Sequence, residues 1–369
     1  MKPKPRMTAC ALRGAWRRAL VVTCAVAAAA AAGSTGFVPA NDARIIYEGR
    51  QAPGADGAVR LGFPGIQVHL RFRGPAPIMA ARASNDDSSF DVSLDGAEPT
   101  LLRLKPGDGR YVLPGGDAAG EHTLVLTRRI ESWMGTCAIT GFDSGGGELL
   151  PARPLPPRRL MFIGDSETSG EMDAWAPGRD FHDKLNTNAR LSFGMLLARR
   201  FGAQCHLVSC GGRGLIRDWQ GKRDAGNAPE FYELALPEDP AARWDHARYV
   251  PDAIVVQLGT NDFSPGIPAE DEYVGAYVKF IGQVRRDAPD ACIILTDAPI
   301  LNDDPVHGSK HSTLHRYLER IVAQAGSPKV TLATLPHYPG VPGNGHPSGA
   351  DHRAIAAALE PVLRRALGW

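Results

Sequence analysis

The sequence is poor in cysteine, and its few cysteines do not form a metal-binding pattern. Six occur among 369 residues, two of them in an N-terminal segment that we expect to be removed. No two have the CxxC spacing of a zinc site, so such a site is not supported. Cys205 and Cys210 lie in one strand-like run and cannot easily face each other. We therefore expect the other four, Cys137, Cys205, Cys210 and Cys292, to be buried thiols rather than a disulfide framework.

The chain also has no excess of positive or negative charge. The chain has 41 Lys and Arg against 40 Asp and Glu, a formal net charge of +1. A charge this close to zero gives no reason to propose nucleic acid as a partner. Basic residues are not interleaved with aromatics in the arrangement that single strands require. No G-x-S-x-G sequence occurs, which argues against an α/β-hydrolase.

The chain has no apolar run long enough to span a bilayer comfortably. The run ALVVTCAVAAAAAAG near the N-terminus is too short, and six basic residues precede it. A basic region, a short apolar region and small residues form the pattern of a secretory signal. We predict a signal peptide over residues 1–36, cleaved between Ala32 and Gly36, with an uncleaved anchor as the alternative. The mature protein is expected to be secreted or periplasmic, without membrane attachment.

Short alternating strands are predicted over residues 37–150. In IQVHLRF, for example, Ile66, Val68, Leu70 and Phe72 fall on one face of a strand. Regular spacing, glycine-rich turns and no helical period are typical of a small antiparallel β-sandwich. Four prolines then lie within residues 151–157, so residues 151–158 are predicted to be a stiff linker.

Residues 159–369 have a different pattern. Five continuous apolar runs alternate with helical patterns, and such runs are typical of strands buried on both faces. We predict an α/β fold with a doubly wound parallel sheet, in the flavodoxin-like arrangement. In such sheets the chemistry lies at the carboxyl ends of the strands.

Four of the predicted strand ends carry residues suited to acyl transfer. The sequences are GDSETSG with Ser166, SCGGRGLIRDW with Gly212, GTNDF with Asn261, and GNGHPSGADH with His346. Acyl transfer needs a hydroxyl nucleophile, a base and donors for a tetrahedral oxyanion. Ser166 can supply the hydroxyl and its own N–H, Gly212 a second N–H, and Asn261 an amide NH₂. Each also has a simpler interpretation, since Ser166 could be a helix N-cap and Asn261 a turn residue.

These four blocks, in this order, resemble the SGNH (GDSL-type) hydrolases. Together with the N-terminal sandwich, the chain looks more specifically like carbohydrate esterase family two, whose members join a jelly-roll-like sandwich to an SGNH domain and deacetylate plant polysaccharides. The resemblance implies Ser166 as nucleophile, His346 as base, and an oxyanion hole from Ser166, Gly212 and Asn261. Gly211 is the alternative alignment for Gly212.

Two histidines lie in the last loop, and we predict that His346 is the base. Ser348 and Asp351 have the spacing of a capping box and precede an apolar helical face, so Asp351 is expected at a helix start. His352 would then lie in the first turn. His346 precedes the cap, on a loop from which it can reach Ser166.

The acid that usually orients this histidine is missing. Many SGNH enzymes carry an aspartate two or three residues before it, where this chain has Asn344 and Gly343. We expect a backbone carbonyl near Gly343 to orient the ring, with the side-chain oxygen of Asn344 as the other candidate. His337, nearer the strand, is the alternative base.

Two further groups of residues were considered for binding roles. His307, His311 and His315 recur every four residues and could form a metal face, but nothing completes a ligand set, so we predict no metal and no cofactor. Trp175 and Trp219 lie near the predicted catalytic blocks. They are candidate contacts for sugar rings, although core packing would explain them equally well.

The sequence therefore predicts an exported serine esterase that removes O-acetyl groups from a polysaccharide or oligosaccharide. Two alternatives remain. One is another SGNH activity, such as a lysophospholipase or thioesterase, which would need an apolar acyl groove. The other is a glycan-binding protein with a degenerate site, suggested by the missing carboxylate.

Overall fold

The computed structural model describes residues 36–117 and 120–369, so the predicted signal peptide lies almost entirely outside the described residues. The first part is a sandwich of two six-stranded antiparallel sheets. Its strands are β1 Phe37–Pro39, β2 Ile46–Glu48, β3 Gln51–Pro53, β4 Val59–Leu61, β5 Gln67–Arg73, β6 Ile78–Ala83, β7 Ser89–Leu94, β8 Thr100–Arg103, β9 Gly107–Val112, β10 Glu121–Arg128, β11 Cys137–Asp143 and β12 Glu148–Leu150.

The alternation in the sequence correctly identified the buried face of the sandwich. One sheet has the strand order β3-β4-β11-β6-β9 and the other β12-β5-β10-β7-β8, with β1 and β2 pairing at β11 and β5. Ile66, Val68, Leu70 and Phe72 are all buried, while the residues between them are at least partly exposed. Because successive strand residues point to opposite faces, this register places the apolar set between the sheets.

The second part is a parallel α/β sheet, as predicted. Its five strands follow the order β14-β13-β15-β16-β19, the flavodoxin-like arrangement, and every neighbouring pair is parallel. The strands are β13 Arg159–Gly164, β14 Gln204–Ser209, β15 Ala253–Gln257, β16 Cys292–Thr296 and β19 Val330–Ala333, with a two-stranded ribbon of β17 Asp303–Asp304 and β18 Gly308–Ser309. The helices are α1 Ser166–Ser169, α2 Phe193–Phe201, α3 Ala228–Phe231, α4 Thr260–Phe263, α5 Glu270–Asp287, α6 Lys310–Ala325 and α7 Gly349–Leu367.

The two lobes pack together as one compact unit. A buried carboxylate helps to join them: Asp91 of the sandwich accepts hydrogen bonds from Arg129 of its own lobe at 2.6 Å and from Arg190 of the α/β lobe at 2.6 Å. Asn188 of the α/β lobe donates to the same carboxylate at 2.8 Å. The segment 151–158 between the lobes contains no regular helix or strand.

The prediction of four buried thiols is confirmed as to their free state, and for burial it holds for two of the four. Cys137, Cys205, Cys210 and Cys292 are free, the first two buried and the others half-buried. None of the described helices combines the length and the apolar character needed to cross a membrane.

Candidate active site

Ser166 lies just beyond the carboxyl end of strand β13, between β14 and β15 in the sheet. Asp165 follows the strand and caps helix α1, its side chain accepting the Glu167 N–H at 3.0 Å. Ser166 is the first residue of this helix and is 7% exposed. A side chain at this position points out of the sheet edge while the backbone is held by both the strand and the helix. The position of the Ser166 hydroxyl is therefore well defined.

His346 reaches this serine across the sheet edge. Its Nε2 lies 2.9 Å from the Ser166 Oγ. On the other side of the ring, Nδ1 lies 2.7 Å from the side-chain oxygen of Asn344. That oxygen also accepts the backbone N–H of His346 at 3.2 Å, and this second bond fixes which end of the amide faces the ring.

The contact with Asn344 also determines the tautomer of His346. An amide oxygen can only accept, so the proton of the neutral ring lies on Nδ1 and Nε2 is free to accept from the serine hydroxyl. Our expectation that a backbone carbonyl near Gly343 orients the ring is therefore wrong in this structure. The short loop places the Asn344 side chain, two residues before His346, directly against Nδ1.

The other histidines considered as bases are engaged elsewhere. His352 is buried, its Nδ1 accepts the Phe193 N–H at 3.2 Å, and burial lowers its pKa to about 3. His337 Nδ1 lies 3.1 Å from two backbone carbonyls, of Pro299 and Leu301. The structure brings only His346 of these three to Ser166.

The capping prediction for Asp351 is confirmed. Ser348 and Asp351 form a reciprocal capping box at the start of α7, with the Ser348 N–H donating to Asp351 Oδ2 at 2.8 Å. This carboxylate serves the helix terminus rather than His346.

Within the described part of the chain, the first four residues after β14 offer one backbone N–H without an acceptor. The N–H of Cys210 donates to Gly164 at 3.1 Å, that of Gly211 to a carboxyl oxygen of Glu131, and that of Arg213 to Cys210 at 3.2 Å. Among the described residues the Gly212 N–H alone in this run has no acceptor. Gly212 has a φ of +75°, a left-handed conformation that favours glycine. These contacts favour Gly212 over Gly211 as an oxyanion donor.

The Ser166 N–H is a second donor with no acceptor among residues 36–117 and 120–369, because the first N–H of a helix has no partner within it. The third predicted donor is placed differently. The Asn261 amide nitrogen lies in α4 and already contacts Asp165 Oδ2 at 2.9 Å and the Arg213 carbonyl at 3.0 Å. To donate to a substrate, Asn261 has to exchange one of these bonds, so its role in an oxyanion hole stays a prediction.

Sequence reasoning missed the function of Asp262, next to Asn261. Its buried carboxylate accepts the Leu215 and Ile216 N–H groups, each at 2.8 Å, and so ties the glycine loop to α4. Burial raises its pKa to about 6 although these bonds favour the charged form. The interpretation of Asn261 and Asp262 as turn residues considers only neighbouring positions, so it could not reveal this long-range bond.

Two glutamates beside the site were also missed. Glu171 follows α1 and places a carboxylate oxygen 3.7 Å from His346 Nε2. Glu131 belongs to the sandwich, is 1% exposed, and accepts the Gly211 N–H. Burial, and next the charge of Glu171, raises the pKa of Glu131 to about 8. Neither glutamate lies in one of the four sequence blocks, so no local pattern identified them.

The two tryptophans have different surroundings. Trp219 is 55% exposed, and its backbone N–H donates to the Gly212 carbonyl at 3.0 Å, so its ring lies beside the glycine loop. Trp175 is half-buried and stacks on Phe181, with ring centroids 5.7 Å apart. One face of Trp175 is therefore covered. Trp219 is the better placed of the two to meet a sugar ring.

The three histidines considered as a metal face do not converge. His311 Nε2 lies 3.1 Å from the Leu335 carbonyl and His315 Nδ1 lies 3.0 Å from Asp297, while His307 contacts Asp304.

In the described part of the chain, the one cluster with suitable metal-ligand spacing is Glu233, His246 and Asp287. Arg243 and Arg286 already form ion pairs with its carboxylates. The cluster includes neither Ser166 nor His346.

Comparison with known proteins identifies the family of this chain. Residues 47–154 match the carbohydrate esterase 2 N-terminal family, and residues 162–366 match the GDSL-like lipase/acylhydrolase family. The chain is 36% identical over 337 residues to an acetylxylan esterase / glucomannan deacetylase of Cellvibrio japonicus, covering 91% of this chain and 92% of that protein.

Two solved structures are similar over nearly their whole length. A family two carbohydrate esterase from Cellvibrio japonicus has a TM-score of 0.86 at 36% identity, covering 91% of this chain and 99% of that one. A family two carbohydrate esterase from Clostridium thermocellum, in complex with cellohexaose, has a TM-score of 0.80 at 30% identity, covering 88% and 99%. The chain therefore belongs to carbohydrate esterase family two and is an ester hydrolase of the GDSL class.

Proposed function

We propose that this protein is an exported serine esterase that removes O-acetyl groups from a polysaccharide or oligosaccharide. The observation that carries the proposal is the line of contacts from Ser166 Oγ to His346 Nε2 and from His346 Nδ1 to Asn344. A hydroxyl, a correctly protonated imidazole and an acceptor behind it are the parts that activate a serine nucleophile.

The reaction proceeds in two steps. His346 Nε2 takes the Ser166 proton as Oγ attacks the acetyl carbonyl, and the resulting imidazolium gives the proton to the departing sugar oxygen, which leaves as a hydroxyl. Water, deprotonated by the same nitrogen, then attacks the acyl-enzyme carbonyl. The bond from Oγ to the acetyl group breaks, the proton on Nε2 returns to Ser166 Oγ, and acetic acid leaves and ionises in solvent. In each step the tetrahedral oxyanion meets the N–H groups of Ser166 and Gly212, with Asn261 as a third donor after it exchanges a bond. These steps need no cofactor.

The carbohydrate substrate is supported by the relatives and by the surface. The Cellvibrio japonicus relative is an acetylxylan esterase / glucomannan deacetylase, and a structural neighbour binds cellohexaose. Trp219 presents an exposed ring beside the glycine loop, where a sugar can stack next to the ester. Export is supported by the basic and apolar N-terminal sequence, which lies outside the described residues.

Deacetylation of acetylated xylan and glucomannan, measured as released acetate, tests this function. We expect wild-type protein to release acetate and Ser166→Ala to release none while keeping its melting temperature. Mass spectrometry after fluorophosphonate treatment is expected to find one adduct, on Ser166. An adduct on another serine, or a preference for long-chain over acetyl p-nitrophenyl esters, would overturn the proposal. Glycan binding without hydrolysis would instead support a binding protein.

A further inference from the structure

A short turn of the sandwich lies against the glycine loop of the α/β lobe. Residues 131–133, between β10 and β11, each contact the other lobe. Glu131 accepts the Gly211 N–H, and Ser132 Oγ donates to Glu238 at 2.9 Å. The Lys184 ammonium lies 4.5 Å from the Trp133 ring centroid. We call residues 131–133 the sandwich turn.

Glu131 is packed closely against the peptide group that precedes the free donor. A methyl group on Gly211 would lie 2.8 and 2.9 Å from the two carboxyl oxygens of Glu131, closer than van der Waals contact allows. The side chain is almost fully buried. Gly211 therefore cannot move toward the sandwich without a steric clash, and rotating its N–H away would remove a hydrogen bond from a buried carboxyl group.

Because Glu131 holds Gly211 in place, it also restricts the direction of the next backbone N–H, that of Gly212. Gly211 and Gly212 are adjacent glycines, and Gly212 has a left-handed φ, so this part of the loop has unusual conformational freedom. The Cys210 and Arg213 N–H groups are bonded within the α/β lobe. Among the described residues, two hydrogen bonds restrain the middle of the run. The Gly212 carbonyl accepts the Trp219 N–H at 3.0 Å, after the free donor, and the bond from the Gly211 N–H to Glu131 holds the residue before it.

We propose that Glu131 is a positioning residue for the oxyanion hole, so that the sandwich lobe completes the active site instead of acting as a separate module. It holds Gly211 so that the Gly212 N–H faces the oxyanion formed at Ser166. The inference rests on the proposed function, in which Gly212 is an oxyanion donor. Glu131 acts through Gly211 and does not touch the substrate.

Steady-state kinetics with p-nitrophenyl acetate and acetylated xylan test this role. Glu131→Ala is expected to lower kcat by about 10- to 100-fold with KM within about twofold, because a misplaced oxyanion donor weakens transition-state but not ground-state binding. Glu131→Gln keeps an acceptor oxygen of the same reach and is expected to retain most of kcat. Ser132→Ala is the matched control: it removes the neighbouring contact between the lobes and is expected to lower the melting temperature with kcat unchanged.

If Glu131→Ala does not fold, Glu131→Asp and Glu131→Gln decide the question. The aspartate keeps the acid but is one methylene shorter, so it is expected to lose kcat where the glutamine keeps it. The reverse order, or a folded Glu131→Ala with wild-type kcat, would overturn the inference. An active Ser166→Ala variant would instead overturn the proposed function, so the two failures are distinguishable.

Discussion

The side-chain oxygen of Asn344 lies 2.7 Å from Nδ1 of His346, where a serine protease has a carboxylate. The amide fixes the ring and its tautomer, but as a neutral group it does not stabilise the imidazolium electrostatically as an aspartate does. An aspartate in place of Asn344 would have an oxygen acceptor of the same reach and would add that electrostatic contribution.

Replacing Asn344 tests this arrangement. Asn344→Ala is expected to lower kcat by about 10- to 100-fold, less than the ~10⁴ seen when a protease aspartate becomes asparagine, because water can reach the exposed site and accept from Nδ1. Asn344→Asp is expected to match or exceed wild-type kcat. Both are measured with p-nitrophenyl acetate at saturating substrate. A loss below threefold for the alanine variant would restore the backbone carbonyl as orienter.

Glu171 is expected to supply part of the missing charge. Its carboxylate lies 3.7 Å from His346 Nε2, and both side chains are about one-fifth exposed, with values of 21% and 23%. Because an ion pair of this exposure contributes at most about 1 kcal/mol, Glu171→Gln is expected to lower kcat two- to fivefold. The difference from wild type is expected to shrink at high ionic strength. An unchanged kcat at low salt would remove Glu171 from the mechanism.

Asn261 is expected to affect both catalysis and stability. Asn261→Ala should lower kcat by ~10²–10³ with little change in KM if the amide serves as an oxyanion donor. It also removes the bonds that the Asn261 amide donates to the buried Asp165 Oδ2 and to the Arg213 carbonyl, at a loss of about 1–3 kcal/mol of unfolding free energy.

Thr168→Ala is the control for Asn261. It removes another buried bond of α1, from Thr168 to Gln257, and is expected to leave kcat unchanged. If Asn261→Ala loses stability while kcat stays the same, then Asn261 stabilises the contact between α4, Asp165 and the glycine loop and is not an oxyanion donor.

Asp351 is expected to be structural. Asp351→Ala removes one half of the capping box of α7, so urea denaturation should show a loss of about 1 kcal/mol in unfolding free energy. Because its carboxylate is bonded to Ser348, kcat should stay within twofold of wild type. A folded variant that loses ~10³ in kcat would make Asp351 the acid of a triad.

The buried acid Glu131 gives a pH signature in stability. Burial raises its pKa to about 8 from an ordinary 4.5, so between these values the folded chain holds a proton that the unfolded chain has lost. The unfolding free energy therefore falls as pH rises through this window, by about 1.4 kcal/mol per pH unit at most for one group. Glu131→Gln should remove this contribution and flatten the decline.

Urea denaturation of wild type and Glu131→Gln between pH 7 and pH 8 measures the difference. Burial lowers the pKa values of three histidines, His206, His246 and His352. In this pH range they are largely neutral in both the folded and the unfolded state, so they contribute little to the change in unfolding free energy. The decline from Glu167, whose pKa burial raises to about 7, is common to both proteins. Equal slopes for the two proteins would show that Glu131 is ionised in the folded state at neutral pH.

Local sequence was sufficient for the fold class and for the expectation that His346 reaches Ser166. Period-two alternation reflects a strand that is buried on one face, and a continuous apolar run reflects a strand that is buried on both faces. The first pattern predicted the sandwich and its buried face, and the second predicted the parallel sheet. In a parallel sheet the carboxyl ends of the strands share one edge, so the strand-end residues Ser166, Gly212 and His346 could be expected near one another. The capping box at Ser348 and Asp351 was predictable because it is a bond within four residues.

Only the tertiary structure decided what surrounds those residues. The rotation of the Asn344 side chain toward Nδ1 depends on the course of one loop, which composition does not specify. The bond from Glu131 to Gly211 joins positions 80 residues apart in different lobes, and that from Asp262 to Leu215 spans 47 residues. Such contacts arise from the packing of whole elements against each other. Each depends on a single buried side chain, so they leave no periodic trace in the sequence.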